Sequence, residues 1–179
     1  MRMTTKLLGE AGHDFALLGL SLSYRAELGK MPERAEKNAP MDGGHNKFLE
    51  SIYMWIDVNA PRYWWQEADT YRLTTKQSES SMHTIMKREL TQEDFNEDID
   101  QAVLAKLNEW IRAKDFRQVK RHLPEAFLQR RIWTINYKNL RNIYQQRCNH
   151  KLPEWRVFLD PVLAAIQHPT YIIVRSIDI

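Results

Sequence analysis

The sequence predicts an α+β fold in which a mixed sheet packs against helices in one domain spanning residues 1–179. The 179 residues, 43% hydrophobic and 11% aromatic, suffice for one domain with a substantial core and are few for two. Helical apolar spacing alternates irregularly with short strand-like runs, which is typical of α+β proteins and not of a doubly wound sheet. No internal repeat or low-complexity tract interrupts this pattern.

The first third of the chain predicts two helices, a loop and a strand. Residues 12–25 form a buried helix in this interpretation, with apolar side chains at Phe15, Leu17, Leu18, Leu20 and Leu22. Residues 29–44 carry Pro32, Pro40, Gly43 and Gly44 among charged residues and are predicted to be a loop. A helix resumes at 45–55, and the alternation over 54–60 indicates a strand that stops at Pro61. Pro61 suits the first position of a following helix.

The signals after residue 90 are stronger. Thr91 followed by acidic residues is a helix start, and apolar residues at helical spacing extend the predicted helix over 92–114. A strand is predicted at 127–136, after Pro124. Three further elements complete the prediction: a helix over 137–147, a helix over 153–166 and a final strand over 170–177.

Cysteine content and hydropathy bear on the compartment. Cys148 is the only cysteine, so no intramolecular disulfide can form, which fits a reducing environment. The apolar stretch near the N-terminus is too short to span a bilayer and follows no basic leader. We therefore expect a soluble, cytoplasmic protein.

Positive charge is concentrated in one segment. Residues 112–147 contain ten Lys or Arg against two acids, a local excess of eight positive charges in a chain whose net charge is +3. Such asymmetry indicates a polyanionic partner, either phosphorylated small molecules or nucleic acid. A solvated basic face without a partner is the alternative interpretation.

Three short motifs follow one another along the chain. An Ala60-Pro61 step is followed, after residues 62–69, by TYRLTTKQSESSM at residues 70–82. Further on come Leu123-Pro124 and a helical pattern made by Asn136, Leu140, Asn142 and Arg147. Together they resemble the flavin-dependent thymidylate synthases, in which an Ala-Pro helix start precedes the loop R-H-R-x-x-S-x-N-E-x-S-x-R. In that family, Leu-Pro and N-x-x-x-L-x-N-x-x-x-x-R follow. The resemblance covers residues 12–165.

The resemblance implies a reaction and a set of site residues. The family reduces and methylates dUMP with FAD, NADPH and methylenetetrahydrofolate, in homotetramers whose active sites lie between subunits. FMN in place of FAD is an open alternative. All these ligands are anionic, which suits arginine because its planar fork binds phosphate through two hydrogen bonds. The matching cofactor-binding positions are His45, Arg72, Gln77 and Asn142, and the matching substrate-binding positions are Ser80, Lys120 and Arg147. No catalytic residue is assigned, and no metal motif is present.

The signature loop departs from the family pattern at six of its eight specified positions. Thr70 and Met82 replace arginines, which removes two cations from a phosphate site. Glu67 and Asp69 add acids where the family often has glutamine and an apolar residue, and this suggests a changed ligand such as a modified pyrimidine nucleotide. Three other cations are available to compensate: Arg62, Lys76 and Arg88.

Two alternatives to an active enzyme remain open at the sequence level. The loss of signature residues is compatible with a catalytically inactive homologue that still binds a nucleotide or flavin. A nucleic-acid-binding module is a weaker alternative, since aromatic residues interleave the basic segment at Phe116, Trp133, Tyr137 and Tyr144.

The stretch 61–83 is expected to serve both packing and ligand binding. We expect a helix whose aromatics pack in the core or a subunit interface, followed by a ligand loop from Arg72 to Ser80. Tyr63, Trp64 and Trp65 are more apolar bulk than a small domain easily buries, which indicates an oligomer, a homotetramer in this family. Replacement of either Arg72 or Arg147 is expected to weaken ligand binding without affecting stability.

Overall fold

The computed structural model describes residues 1–173 and confirms the α+β class. Four strands form one sheet in the order β1-β2-β4-β3, with β1 at Thr4–Ala11, β2 at Tyr53–Pro61, β3 at Thr75–Ser78 and β4 at Leu128–Asn136. All three strand pairs are antiparallel, so the prediction of a mixed sheet is wrong. Antiparallel pairing agrees with the burial pattern, because one face of the sheet is packed and the other is open.

Strand β2 shows this asymmetry clearly. Met54, Ile56 and Val58 are fully buried on the packed face. Tyr53 and Trp55 alternate with them and remain substantially exposed on the open face. A strand with this alternation has one apolar side only, whereas parallel strands are usually apolar on both.

Eight α-helices surround the sheet within residues 1–173. Their bounds are α1 His13–Tyr24, α2 Met31–Asn38, α3 Arg62–Ala68, α4 Ser81–Thr84, α5 Gln101–Arg112, α6 Phe116–His122, α7 Tyr137–Arg147 and α8 Glu154–Ala165. Helices α3, α7 and α8 and strands β2 and β4 agree closely with the predicted elements. Over residues 1–173, no helix has both the length and the apolar character needed to cross a bilayer.

The N-terminal region differs from the prediction. Strand β1 was not predicted, and helix α1, expected to be buried, is buried on one side only and exposes apolar side chains on the other. Leu17 and Leu20 of α1 are buried, whereas Phe15 and Leu22 are 77% and 72% exposed. The spacing of apolar residues predicts the helix correctly. It does not show which of these apolar side chains are buried by the rest of the chain and which stay exposed.

The predicted loop at 29–44 is wrong, because it contains helix α2. Pro32 lies in the first turn of α2, where the missing amide hydrogen has no helical partner to lose. Irregular structure is confined to the end of the segment, where Gly43 and Gly44 adopt positive φ angles of 70° and 95°. A proline among charged residues is therefore a helix start here.

Two predicted helices are shorter in the structure. The segment 45–55 forms only a 3-10 turn at Lys47–Ser51 before β2 begins. The helix predicted over 92–114 begins at Gln101, whose N-cap Asp100 accepts a hydrogen bond from the Ala102 amide. Thr91 does form a capping box, but it closes a single 3-10 turn. The predicted final strand over 170–177 is not observed where it can be checked, since Pro169–Tyr171 is a 3-10 turn, and residues 174–177 lie outside the described residues.

The buried residues form two hydrophobic clusters. The main core lies between the packed face of the sheet and helices α3, α7 and α8, and its largest members are indoles at Trp64, Trp65, Trp133 and Trp155. The rings of Trp64 and Trp155 lie 4.8 Å apart, centroid to centroid. The second cluster belongs to the segment between β3 and β4 and is formed by Ile85, Leu90, Phe95, Leu104, Leu107, Ile111, Val119 and Leu123.

A buried carboxylate joins the two clusters. Glu154, at the first turn of α8, accepts hydrogen bonds from the Tyr63 hydroxyl and from the Asn96 amide nitrogen, the latter at 2.9 Å. Asn96 Oδ1 in turn accepts from the Met3 amide at 2.9 Å. Burial and the neighbouring Glu154 raise the pKa of Tyr63 above its usual range, so its hydroxyl stays a donor. The chain start, the second cluster and α8 are thereby tied together.

Truncation of Trp64 should be severely destabilising. Trp64→Ala removes a fully buried indole that contacts four aromatic neighbours, and the expected loss of unfolding free energy is about 3–5 kcal/mol. Urea unfolding followed by circular dichroism measures it. Trp55→Ala, on the open sheet face, is the matched control and should cost clearly less. Equal losses in the two variants would contradict the assigned packing.

Candidate functional site

Helix α3 delivers the candidate ligand loop onto helix α7. The Tyr71 hydroxyl donates to Gln146 Oε1 at 2.9 Å, and the Asn139 side chain donates to the Leu73 carbonyl at 3.2 Å. Leu73 adopts a positive φ of 60°, which turns the chain from the helix end into β3. The loop 69–74 therefore runs along one face of α7.

This packing brings together three of the predicted site residues. Arg72 lies in the loop, and Asn142 and Arg147 lie on the α7 face that the loop follows. Asn142 Oδ1 accepts from Gln146, the same side chain that binds Tyr71. Two cations and an amide predicted from distant sequence positions are thus neighbours in one protomer.

Arg147 is held in a closed network rather than offered freely to a ligand. Its Nη1 donates to Glu67 Oε2 at 2.9 Å, and its Nε donates to the Tyr71 hydroxyl at 2.8 Å. Its guanidinium carbon lies 5.0 Å from the centre of the Trp155 ring, a cation–π contact. The side chain is 19% exposed. Only Nη2 has no partner among residues 1–173, so it is the group left for a ligand.

Arg72 has the opposite character. Its side chain is exposed, and no hydrogen bond or ion pair to residues 1–173 engages its guanidinium. Its positive charge is therefore available to a ligand that approaches the loop 69–74.

Lys120 lies at a second place, between α4 and α6, where it contacts the residue next to Ser80. Ser80 is the N-cap of α4, and Lys120 Nζ donates to the next residue, Ser81, at 2.7 Å. Burial and the nearby charge of Arg62 lower the pKa of Lys120. No carboxylate lies within ion-pair distance of Lys120 among the residues that the structure describes. An ammonium beside a like charge with two hydroxyls at hand is suited to an anion such as phosphate.

Ser81 was not predicted. The family motif points to Ser80, and nothing in the sequence shows that the adjacent hydroxyl is the one that meets Lys120. A cavity of about 480 Å³ opens beside Ser81, with Asn59, Glu79 and Gln129 in its walls.

The three cations suggested as replacements for the lost arginines are all engaged. Arg62 pairs with Glu125 at 3.2 Å, and Lys76 lies 3.6 Å from Asp69. Arg88 makes a two-point contact with Asp94. None of them replaces the charges missing at Thr70 and Met82, so the phosphate end of the site is less positive than the family pattern implies.

A third cation site surrounds Asn142 on helix α7. A cavity of about 250 Å³ is lined by Asp42, Lys138, Asn139, Arg141, Asn142 and Gln145. Arg141 is only 3% exposed, and its Nη2 donates to the Pro40 carbonyl at 2.8 Å. Its Nη1 is buried without a hydrogen-bond partner among residues 1–173. Burial lowers the pKa of the Arg141 guanidinium, and the charge of Asp42 in the wall of the same cavity opposes this shift.

Arg141 was not predicted as a site residue. The sequence places it in the basic segment and next to Asn142, but an apolar-face arginine gives no signal of its burial.

The two remaining predicted site residues, His45 and Gln77, lie elsewhere in the structure. His45 is exposed in a shallow groove between α1 and the turn before β2, and the adjacent Asn46 accepts a hydrogen bond from Lys138. Gln77 lies on the open face of β3, opposite Ile132 of β4. Neither side chain is brought to the loop–α7 face within this chain.

Comparisons with known proteins agree with this geometry. The family model described as thymidylate synthase complementing protein matches residues 20–168. The chain belongs to this family. No curated protein matches it significantly.

Solved structures of this family share the fold. A Helicobacter pylori flavin-dependent thymidylate synthase, ThyX, complexed with FAD and dUMP, has a TM-score of 0.82 and 16% sequence identity. The match covers 94% of this chain and 97% of that one. A second structure of the H. pylori enzyme with FAD and dUMP has a TM-score of 0.82 and 17% identity, covering 95% and 97%. At these identities the likeness establishes the fold.

The nucleic-acid alternative loses part of its support in this fold. Trp133 and Tyr137, two of the four aromatics in the basic segment, are fully buried and unavailable for stacking on bases. Several of the basic residues are paired with acids as well, including Arg130 with Asp57 and Arg131 with Asp69.

The two arginines of the loop–α7 face should respond differently to mutation. Arg72→Ala is expected to leave the unfolding free energy unchanged because Arg72 is exposed and unpaired among residues 1–173. Arg147→Ala removes one hydrogen bond from each of Glu67 and Tyr71 and the counter-charge of Glu67, and we expect a loss of about 1–3 kcal/mol. This replaces the expectation from sequence that both variants keep full stability. Thermal denaturation of the ligand-free protein is the measurement, and equal melting temperatures for both variants would show that the Arg147 network contributes nothing.

Proposed function

We propose that the protein is a flavin-dependent enzyme that methylates a pyrimidine deoxynucleotide, in a reaction of the dUMP-to-dTMP type with NADPH and methylenetetrahydrofolate as co-substrates. The observation that carries the proposal is that several cations beside α7 and α4 have no ion-pair partner among residues 1–173, among them Arg72, Lys120, Lys138 and Arg141. Anionic ligands are their natural partners. Membership of the thymidylate synthase complementing protein family and the FAD and dUMP bound by the H. pylori enzymes support it.

The residues beside Asn142 fit a flavin cofactor. Arg141 offers a buried Nη1 that lacks a partner among residues 1–173, and Lys138 and the Asn142 side chain lie at the same cavity. A phosphate group there would supply the counter-charge that the Arg141 guanidinium needs. We assign FAD, with Arg72 and Asn142 as further contacts and His45 and Gln77 as the more distant ones. When bound, the flavin supplies the electron transfer, and the protein supplies position and charge.

The residues between α4 and α6 fit the nucleotide phosphate. Ser80, Ser81 and Lys120 offer two hydroxyls and an ammonium, and Arg147 offers Nη2 for the base. Each charge-assisted hydrogen bond to phosphate contributes on the order of 1.5–3 kcal/mol. Because Thr70 and Met82 supply no charge, we expect a weaker hold on the phosphate than an arginine-rich loop would give.

One observation favours the second candidate, a homologue that binds these ligands without turnover. Arg62, Lys76 and Arg88 are all occupied by acids of the same chain, so the two lost arginines are not replaced. Formation of a methylated nucleotide from deoxynucleotide, methylenetetrahydrofolate and NADPH by the flavin-loaded protein decides between the two candidates. Product formation supports the enzyme, and its absence in a protein that binds flavin and nucleotide supports the binding protein.

We also propose that the chain assembles as a homotetramer. The expectation from sequence relied on Trp64 and Trp65, but both are buried within one chain. One group of exposed apolar side chains lies along a single face of α1, at Phe15, Leu18 and Leu22. Apolar side chains this exposed along one helix face commonly mark an interface.

Substitution on α1 should change the assembly. We expect the wild-type protein to scatter light as a tetramer of the 21.3 kDa chain and the variant Phe15→Lys with Leu22→Lys to dissociate into smaller species. Multi-angle light scattering at micromolar concentration measures both. Val103→Lys on α5, also exposed and apolar, is the matched control and should keep the wild-type mass. A monomeric wild type contradicts the proposal.

Flavin binding should depend on Arg141. The purified protein is expected to show flavin absorbance or to quench the fluorescence of added FAD. Arg141→Met should weaken FAD binding about tenfold or more, about 1.4 kcal/mol or more. Its stability should not fall, since an unpaired buried charge is removed. Arg112→Met, at a surface pair with Glu89, is the control. A wild-type protein that binds neither FAD nor FMN overturns the proposed function.

A further inference from the structure

The ion pair between Glu67 and Arg147 leaves one acceptor and one donor unused. Glu67 Oε2 accepts from both Arg147 Nη1 and Trp155 Nε1, each at 2.9 Å. Glu67 Oε1 has no partner among residues 1–173. On the other side of the pair, Arg147 Nη2 and its two hydrogens are likewise without a partner in the described chain, because only Nε and Nη1 are engaged.

The surroundings hold this pair in one orientation. The Tyr71 hydroxyl receives Arg147 Nε, and the Trp155 ring lies under the guanidinium. Glu67 is 32% exposed, and it lines an open, largely apolar cavity with Tyr63, Gln66 and Thr70. The free carboxylate oxygen is therefore a fixed acceptor that a ligand can reach, next to a fixed donor with two hydrogens.

The two pyrimidine bases present different edges to such a pair. Cytosine has an exocyclic amine followed by two acceptors, N3 and O2. Uracil has a single donor, N3–H, between two carbonyl acceptors. The difference at the 4-position, amine against carbonyl, is the one by which carboxylate side chains select cytosine in nucleic acids.

Cytosine satisfies the pair more completely. Its amine can donate to Glu67 while N3, the acceptor next to that amine, accepts a hydrogen of Arg147 Nη2. Uracil can give Glu67 only N3–H, and one of its carbonyls is then left beside the carboxylate without a donor. An unpaired polar group in a binding site is the strongest source of discrimination between similar ligands.

We propose that Glu67 is a specificity-determining residue that makes this protein prefer a cytosine deoxynucleotide over a uracil deoxynucleotide. The inference rests on the proposed function, in that Arg147 faces the base of a bound pyrimidine nucleotide. It changes the substrate from dUMP to dCMP within the same class of reaction.

Simple charge repulsion is the competing explanation for any effect of Glu67, since nucleotides are anions. Asp69 provides the matched control because it lies two residues away and is also paired, with Arg131 at 3.0 Å. Removal of repulsion by Asp69→Asn should change the affinity for both nucleotides by the same factor. Removal of base recognition by Glu67→Gln should change the two affinities in opposite directions.

Titration calorimetry of dCMP and dUMP into the flavin-loaded wild type, Glu67→Gln and Asp69→Asn tests the proposal. We expect the wild type to bind dCMP about tenfold or more tightly than dUMP, about 1.4 kcal/mol. Glu67→Gln should lose or reverse this preference, and Asp69→Asn should keep it. A wild type that prefers dUMP, or a preference that Glu67→Gln leaves intact, overturns the proposal. The wild-type comparison requires no variant to fold.

Flavin binding separates this inference from the function on which it rests. A protein that binds flavin and prefers dUMP refutes the role of Glu67 and keeps the proposed function. A protein that binds neither flavin nor either nucleotide refutes both.

Discussion

The burial of two indoles on helix α3 is the constraint on which the site depends. Trp64 packs among Trp133, Trp155 and Phe158, and Trp65 donates its Nε1 to the Gln129 carbonyl of β4 at 2.8 Å. A seven-residue helix has little stability of its own, so this packing is what holds it in place. The end of α3 in turn sets where Glu67 meets Arg147 and where the loop begins to follow α7.

Charge pairing within the chain decides which cations can serve a ligand. The basic segment supplies many positive groups, but Arg130, Arg131 and Arg62 each face an acid from another element. Surface pairs of this kind contribute little to stability. Their larger effect here is on function, because a cation paired with an acid of the same chain is less available to an anionic ligand.

Elements with a strong local signal were predicted well from the sequence. Strand β2 has strict alternation and stops at Pro61, and α7 begins at Asn136, whose side chain caps the helix. Strand β1 was missed because its apolar residues do not alternate cleanly and it is defined by pairing with β2, nearly fifty residues away in sequence. The α5 start was missed because Phe95 and Asn96 are drawn into a bridge and a buried hydrogen bond with Phe127, Glu154 and Tyr63.

The sequence predicts which positions belong to the candidate site, but it does not predict which side chains contact one another there. The motif spacing predicts Arg72, Asn142 and Arg147 as site residues, and the fold packs the loop that carries Arg72 against α7, which carries the other two. The pairing of Arg147 with Glu67 joins residues eighty positions apart, and the burial of Arg141 depends on the turn at Pro40. Neither has a signature in local sequence, since both depend on tertiary packing.

The link through Asn96 has a consequence for how the molecule opens. If the second cluster separated from the main core, Glu154 would lose the hydrogen bond from the Asn96 side chain and keep the one from Tyr63. The Met3 amide would lose its hydrogen bond to the same Asn96 side chain. A buried carboxylate that loses a hydrogen-bond donor carries a large penalty, so this separation is unfavourable unless α8 moves as well. The segment between β3 and β4, the first residues of the chain and α8 should then exchange their amide hydrogens as a single cooperative unit rather than as three.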